Sequence, residues 1–425
     1  MLAEGPTSAI FPAVVEVPGA SAASNLVGGR GTPTEHSYSV LVDTNLVQDF
    51  GPIALRVDTS IRRMTPVALG VDEAQSLAGT AVAYPGGFAV TRAYGELVLS
   101  KIEGGEVVDE VALSGFEPKR LHARSGGGFV VPLSPPTLTK TGVGLLSADL
   151  ELVGEVAFPE GLRSYTLTDE GFIGFRYDGP DLVLAEYSEA GATTPVVSPV
   201  METTELAALG DGVLAFEPVD QGVAPDFSGS SSRSAWRKIG RDGVIDWTLT
   251  AQRSATLIWK VVAGDLLVAT QIGATFMIGG ETYQGVVPDG PPLYFVGRFD
   301  GASGALRAQR ITALPWGNGV AQPTAITGDA DGVLLSESFA ADLMIAYVPL
   351  SSSAAPVVRD YLADVIAGYC LQPGVQCAAN DSAFAPLGGG RFGGVWTQLA
   401  STDYDGQVVA SATRKAVAGV YVPVP

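Results

Sequence analysis

The chain is short of the residues that carry most protein chemistry. It holds two histidines and two cysteines in 425 residues. His36 and His122 stand far apart in sequence, with no cluster of thiols or carboxylates around either. A histidine-based metal or catalytic site needs several convergent partners, so each reads as a strand or loop residue with an ordinary hydrogen bond. No G-x-S-x-G elbow, P-loop, H-E-x-x-H or strand-following G-x-G-x-x-G occurs.

Charge is also scarce, at 16% of residues against roughly 25% in an average soluble protein. Basic charge is scarcest: 25 Lys and Arg face 45 Asp and Glu, for a net charge of −20. Polyanions are held by basic side chains that release their counterions, so nucleic acid is not an expected partner. No continuous apolar run reaches the roughly 18 to 20 residues of a membrane-spanning helix.

The two cysteines, Cys370 and Cys377, flank Leu-Gln-Pro-Gly-Val-Gln, whose Pro-Gly can turn the chain back on itself. A local disulfide is the expectation, and a pair of free buried thiols the alternative. A closable pair fits an oxidising compartment. Residues 1–25 are rich in Ala, Pro, Ser and Val but lack the basic start and continuous apolar stretch of a signal peptide. They read as a mature N-terminal segment or tether of an exported protein, with residues 26–425 as one domain. The expected location is extracellular, cell-surface or periplasmic.

What the sequence does have is glycine and a repeat. Its 53 glycines and 28 prolines are spread along the chain among short Val, Ala and Leu runs, the profile of many short strands and tight turns. One unit recurs: a strand, a turn ending in Gly, then an apolar strand. Tyr84-Pro-Gly-Gly-Phe-Ala-Val, Gly210-Asp-Gly-Val-Leu-Ala-Phe and Asp329-Ala-Asp-Gly-Val-Leu-Leu are three examples. The seven turn glycines are Gly87, Gly128, Gly171, Gly212, Gly264, Gly332 and Gly390, at intervals of 41, 43, 41, 52, 68 and 58 residues. The short intervals match a four-stranded propeller blade of roughly 40 to 50 residues. The long ones carry insertions: a Ser/Gly loop at 223–234 and an extra hairpin at 273–292.

A second hairpin follows each turn. Glu96 to Leu113 shows it most clearly, with period-2 alternation on both sides of Gly104-Gly105. One segment, 357–366, fits helical spacing and strand equally. Residues 36–57 read as two strands, half a blade. The fold expected is therefore all-β: a β-propeller of about seven four-stranded blades, with eight as the alternative, closed by pairing N- and C-terminal strands.

Two stretches carry a resemblance: Ile239 to Thr250, and Ala274 to Tyr283 continuing through Tyr294-Phe-Val-Gly-Arg-Phe-Asp-Gly-Ala-Ser-Gly-Ala-Leu. They resemble bacterial exported β-propeller repeats. In these a G-x-F-x-h-G-G hairpin precedes an aspartate turn and a tryptophan; here the hairpin and Phe299-Asp300 fit, while Arg307 stands near the tryptophan position. The resemblance implies a cell-surface or secreted protein and no activity. Asp242 to Trp247 also looks like the Trp-ended repeat of quinoprotein-type and outer-membrane-assembly propellers, but only one copy ends in Trp, so a quinone enzyme is not expected.

Two partial calcium-loop patterns remain, Asp329-Ala-Asp331-Gly and Asp403-Tyr-Asp405-Gly. Both lack the further oxygen ligands and downstream acid of a full loop, so turn chemistry is the favoured reading and calcium the only cofactor these residues suggest. Most of the five tryptophans should pack between blades, and one exposed on the funnel rim could stack on a sugar ring, a role large aromatics take less often than core packing. The expected function is a non-catalytic binding or scaffold protein whose partner is a protein or glycan at the cell surface, with the insertions at 221–292 presenting the contact loops. The alternatives are a carbohydrate-active hydrolase or lyase using carboxylates in the central funnel, and a structural subunit of a surface assembly. Under the scaffold reading, deletion of residues 274–292 should remove partner capture and leave the fold intact.

Overall fold

The computed structural model describes residues 37–40, 53–56 and, apart from short loops and the longer gap at 219–231, 63–361 and 379–423. It is all-β: seven antiparallel blades, each built on four strands and some carrying short extra ones, stand in a ring as a β-propeller. In chain order, blade 1 is Leu77–Tyr84, Gly87–Tyr94, Glu96–Glu103 and Glu106–Leu113. Blade 2 is His122–Ala123, Phe129–Leu133, Gly142–Leu146 and Leu152–Ala157. Blade 3 is Leu162–Thr168, Gly171–Asp178 and Asp181–Ser188, edged by the short Gly191–Ala192 and Val196–Val197.

Blade 4 is Glu205–Leu209, Gly212–Pro218, Ser232–Gly240 and Ile245–Arg253. Blade 5 is Leu257–Val262, Asp265–Gln271, Leu293–Asp300 and Leu306–Ala313. Blade 6 is Ala325–Gly328, Gly332–Phe339, Asp342–Pro349 and Val357–Tyr361. Blade 7 takes Ser382–Gly388, Arg391–Gln398 and Lys415–Tyr421 from the C-terminal end and Met64–Val67 from the N-terminal end.

All seven turn glycines fall at one place, the turn from the first to the second strand of a blade. The repeat thus marks one structural position, and seven is the blade number. Segment 357–366 resolves as strand over Val357–Tyr361. In blade 1, Gly104 and Gly105 hold φ of +58° and +90°, the backbone a two-residue hairpin needs to match strand twist.

Each blade presents apolar side chains on both faces, so its stable partners are its two neighbours in the ring. Leu97 and Leu99 of blade 1 meet Phe129 and Val131 of blade 2, Ile173 and Phe175 of blade 3 meet Val213 and Ile239 of blade 4, and Leu334 and Tyr347 of blade 6 meet Trp396 and Tyr421 of blade 7. The first strands of neighbouring blades approach one another around the ring and bound a central channel.

The ring closes through Met64–Val67, paired antiparallel with the third C-terminal strand from Met64↔Tyr421 to Val67↔Ala418. The pairing of chain ends was expected, but the closing strand lies downstream of 36–57. Those residues form a separate pair, Ser37–Val40 with Ile53–Arg56, so the half blade read there is not the closing element. A hairpin, Thr402–Tyr404 and Gln407–Val409, interrupts blade 7 and fastens the closure: Asp405 Oδ2 accepts from the backbone N–H of Arg63 at 2.9 Å and of Met64 at 2.7 Å, and from the Tyr361 hydroxyl at 3.1 Å.

Candidate functional site

The insertion between the second and third strands of blade 5 folds as the expected hairpin, Thr275–Ile278 and Glu281–Gln284. It does not extend blade 5. It crosses back to blade 4 and pairs with its fourth strand, Ala251↔Ile278 and Gln252↔Met277, making that sheet six-stranded. Alternation decides what its two faces do. Phe276 and Ile278, 1% and 2% exposed, enter the core between blades 4 and 5 beside Leu249 and Phe295. On the other face, Thr275 pairs with Gln284 and Met277 with Thr282, and all four are exposed. The Tyr283 hydroxyl hydrogen-bonds Gln309 on the fourth strand of blade 5. The result is a small outward platform whose back is buried and whose end is tied to the next blade.

This burial corrects one expectation. Removing 274–292 would strip Phe276 and Ile278 from an inter-blade core, so the fold would not survive that deletion unchanged.

Beside the hairpin lies the segment that carries the propeller-repeat resemblance. Asp300 Oδ1 accepts from the Ala302 and Ser303 backbone N–H groups, each at 2.8 Å, and Oδ2 takes the Arg307 guanidinium, whose Nε stands 2.8 Å away. Arg307 and these turn donors hold the Asp300 carboxyl down at about 2. Arg307 also reaches Asp265 at 3.0 Å, so the residue near the tryptophan position of the repeats this segment resembles makes an ion-pair bridge. Trp247 of blade 4 donates from Nε1 to the Gly301 carbonyl at 3.0 Å. A Cβ on Gly304 would lie 2.8 Å from the indole, so this turn is shaped to receive the neighbouring blade's tryptophan.

The weak metal candidates are not brought together. Asp329 and Asp331 occupy the first turn of blade 6. Asp329 Oδ1 accepts from the backbone N–H of Asp331 and of Gly332 at 3.0 Å each, and from the Tyr347 hydroxyl at 2.9 Å. Burial, with that bond to a carboxylate, pushes the Tyr347 phenol up. Asp331 Oδ1 accepts from the Ser351 hydroxyl at 3.3 Å. Asp405 is in the blade 7 hairpin and bonds the closing strand, while Asp403 lies in strand Thr402–Tyr404 with its side chain outside the described residues. No group of three His, Cys, Asp or Glu placed to hold a metal occurs among the described residues. Cys370, Cys377 and His36 also lie outside the described residues.

His122 has a specific partner. Its Nε2 is 2.7 Å from Asp169 Oδ1 across the blade 2–3 junction, and Ser125 reaches the other oxygen through its hydroxyl and, at 3.0 Å, its backbone N–H. Burial pushes the Asp169 carboxyl up, but the bonds from Ser125 and His122 outweigh it and hold the carboxyl at about 2. Serine and histidine both bind the carboxylate rather than each other, so this is an inter-blade tie and not a nucleophile–base relay. Of the tryptophans, Trp236 and Trp396 are fully buried, Trp247 and Trp259 are half-buried, and Trp316 lies outside the described residues. Among the described residues of the seven first strands, Glu205 is the one carboxylate.

No protein-family model and no curated protein matches the chain. Solved structures do. The β-propeller domain of Myceliophteria thermophila Cps50 (Swd1) is 13% identical with a TM-score of 0.46, over 85% of this chain and 100% of that one. The C-terminal WD40 domain of Sif2 is 11% identical with a TM-score of 0.43, over 86% and 99%. BamB from Moraxella catarrhalis is 10% identical with a TM-score of 0.37, over 84% and 99%.

Proposed function

We propose that this seven-bladed propeller is a non-catalytic binding scaffold, exported to the bacterial cell surface, periplasm or medium. Its partner is a protein or glycan held on the outward face of the 275–284 hairpin. The observation that carries this reading is the division of labour in that hairpin: Phe276 and Ile278 fix it in the core, while Thr275, Met277, Thr282 and Gln284 face solvent. A rigidly backed, outward-facing insertion is how a scaffold presents a contact surface. The resemblance of residues 239–313 to exported bacterial repeats and the acidic charge support the location.

The test uses substitutions in place of deletion. Met277→Arg with Thr282→Glu alters only the exposed row, sets opposite charges on a directly paired position, and should leave the thermal transition nearly unchanged. Cross-linking of the immobilised protein in a cell-envelope extract should then lose the partner that the unmodified protein captures. Capture of the same partner at the same yield would overturn the placement.

A further inference from the structure

The channel strands carry little charge. Among the described residues of the seven first strands, Arg163, Glu205 and Lys260 are the only Asp, Glu, Lys or Arg. Glu205 opens its strand, and Arg163 is second in its own, with the guanidinium 4.8 Å from the Tyr177 ring centre. Lys260 differs from both. It is fourth of the six residues Leu257–Val262, well inside the channel wall. It pairs with Leu267, and Ile258 and Val262, two residues to either side, pack with Leu267 in the core between blades 5 and 6. Its methylene stem therefore lies along an apolar wall.

The Lys260 ammonium has no hydrogen-bond or ion-pair partner among the described residues. The side chain keeps partial exposure on this innermost strand. Its dense surroundings lower the ammonium's pKa by desolvation. The described residues thus leave this ammonium in the middle of a first strand without a counter-charge, a placement that costs free energy.

We propose that the central channel binds an amphipathic anion, an apolar body ending in a carboxylate, with the carboxylate on the Lys260 ammonium and the body against Ile258 and Val262. This site is separate from the hairpin face, so either can fail without the other. Half-buried Trp259, next to Lys260 in sequence, supplies a local signal.

Titration calorimetry with octanoate and with neutral 1-octanol tests the proposal, alongside Trp259 fluorescence with Trp259→Phe as its control. Octanoate should bind and change the Trp259 signal. Lys260→Met should weaken binding about tenfold or more, as loss of a charge-assisted bond predicts, and Lys260→Arg should largely keep it. Octanol should bind the unmodified protein at least about tenfold more weakly than octanoate, for the same reason. The proposal is overturned if octanoate does not bind, if it binds Lys260→Met equally, or if octanol matches it. Should Lys260→Met fail to fold, the comparison of octanoate with octanol on the unmodified protein decides alone.

Discussion

At the scale of single residues, the repeated glycine has a physical cause that differs between blades. In blade 4 a Cβ on Gly212 would lie 2.1 Å from the Ile239 carbonyl oxygen, so no side chain fits without moving the third strand. In blade 5 a Cβ on Gly264 would touch nothing, but the residue holds φ of +81°. Gly212→Ala should lower stability in a urea titration by about 1–3 kcal/mol, the range for forced overpacking. Gly264→Ala should cost about 1 kcal/mol, the left-handed penalty alone. Asp169 gives a pH-dependent counterpart. Its carboxyl is depressed to about 2 against roughly 3.9 in an unfolded chain. The unfolded state therefore takes up the proton first, and the stability contributed is full above pH ~4 and lost as pH falls from about 4 to about 2. Asp169→Asn should accordingly lower the melting temperature at neutral pH and converge on the unmodified protein at the acid end. The pair is partly exposed, so the neutral-pH effect should be about 1 kcal/mol or less.

At the scale of elements, the 275–284 hairpin is a strand pair whose two faces obey different rules. Phe276→Ala should cost about 3–5 kcal/mol, as removal of a buried aromatic ring does, whereas Met277→Ala on the same strand should change stability by less than about 0.5 kcal/mol. Thermal or urea unfolding of the two variants checks the contrast, and equal losses would mean that the outward row is packed. The blade 7 hairpin is the other element with a task beyond its own blade. Its Asp405 carboxylate gathers two backbone N–H groups at the start of the closing strand and one hydroxyl from blade 6.

At the scale of the whole molecule, closure is the vulnerable step because Met64–Val67 is only four residues long and covers the edge of Lys415–Tyr421. An uncovered strand edge templates pairing with other chains. A chain beginning at residue 68 should therefore elute as larger species than the full chain in size-exclusion chromatography with light scattering. An unchanged molecular mass per particle, allowing for the removed residues, would show that the ring does not depend on this strand.

The sequence by itself determined the all-β class and the seven-fold repeat of a Gly turn between strands, because the turns and hairpins rest on local chemistry, while eight blades stayed open until the ring excluded them. A turn glycine such as Gly212 meets a clash within its own blade, and Gly104-Gly105 sets the hairpin between its immediate neighbours. The alternation of Glu96 to Leu113 marked the strands for the same reason. The candidate sites were less legible. The insertion at 273–292 could be read as a hairpin, yet its pairing with the fourth strand of blade 4 could not, since that register is fixed by where two blades stand and not by any motif within 275–284. The choice of Met64–Val67 over 36–57 as the closing strand, and the grip of Asp405 upon it, join residues more than 340 apart. In sequence Lys260 was one lysine in an apolar run. Only the ring placed it in the channel wall away from every described carboxylate, because charge isolation depends on all the neighbours that folding brings together.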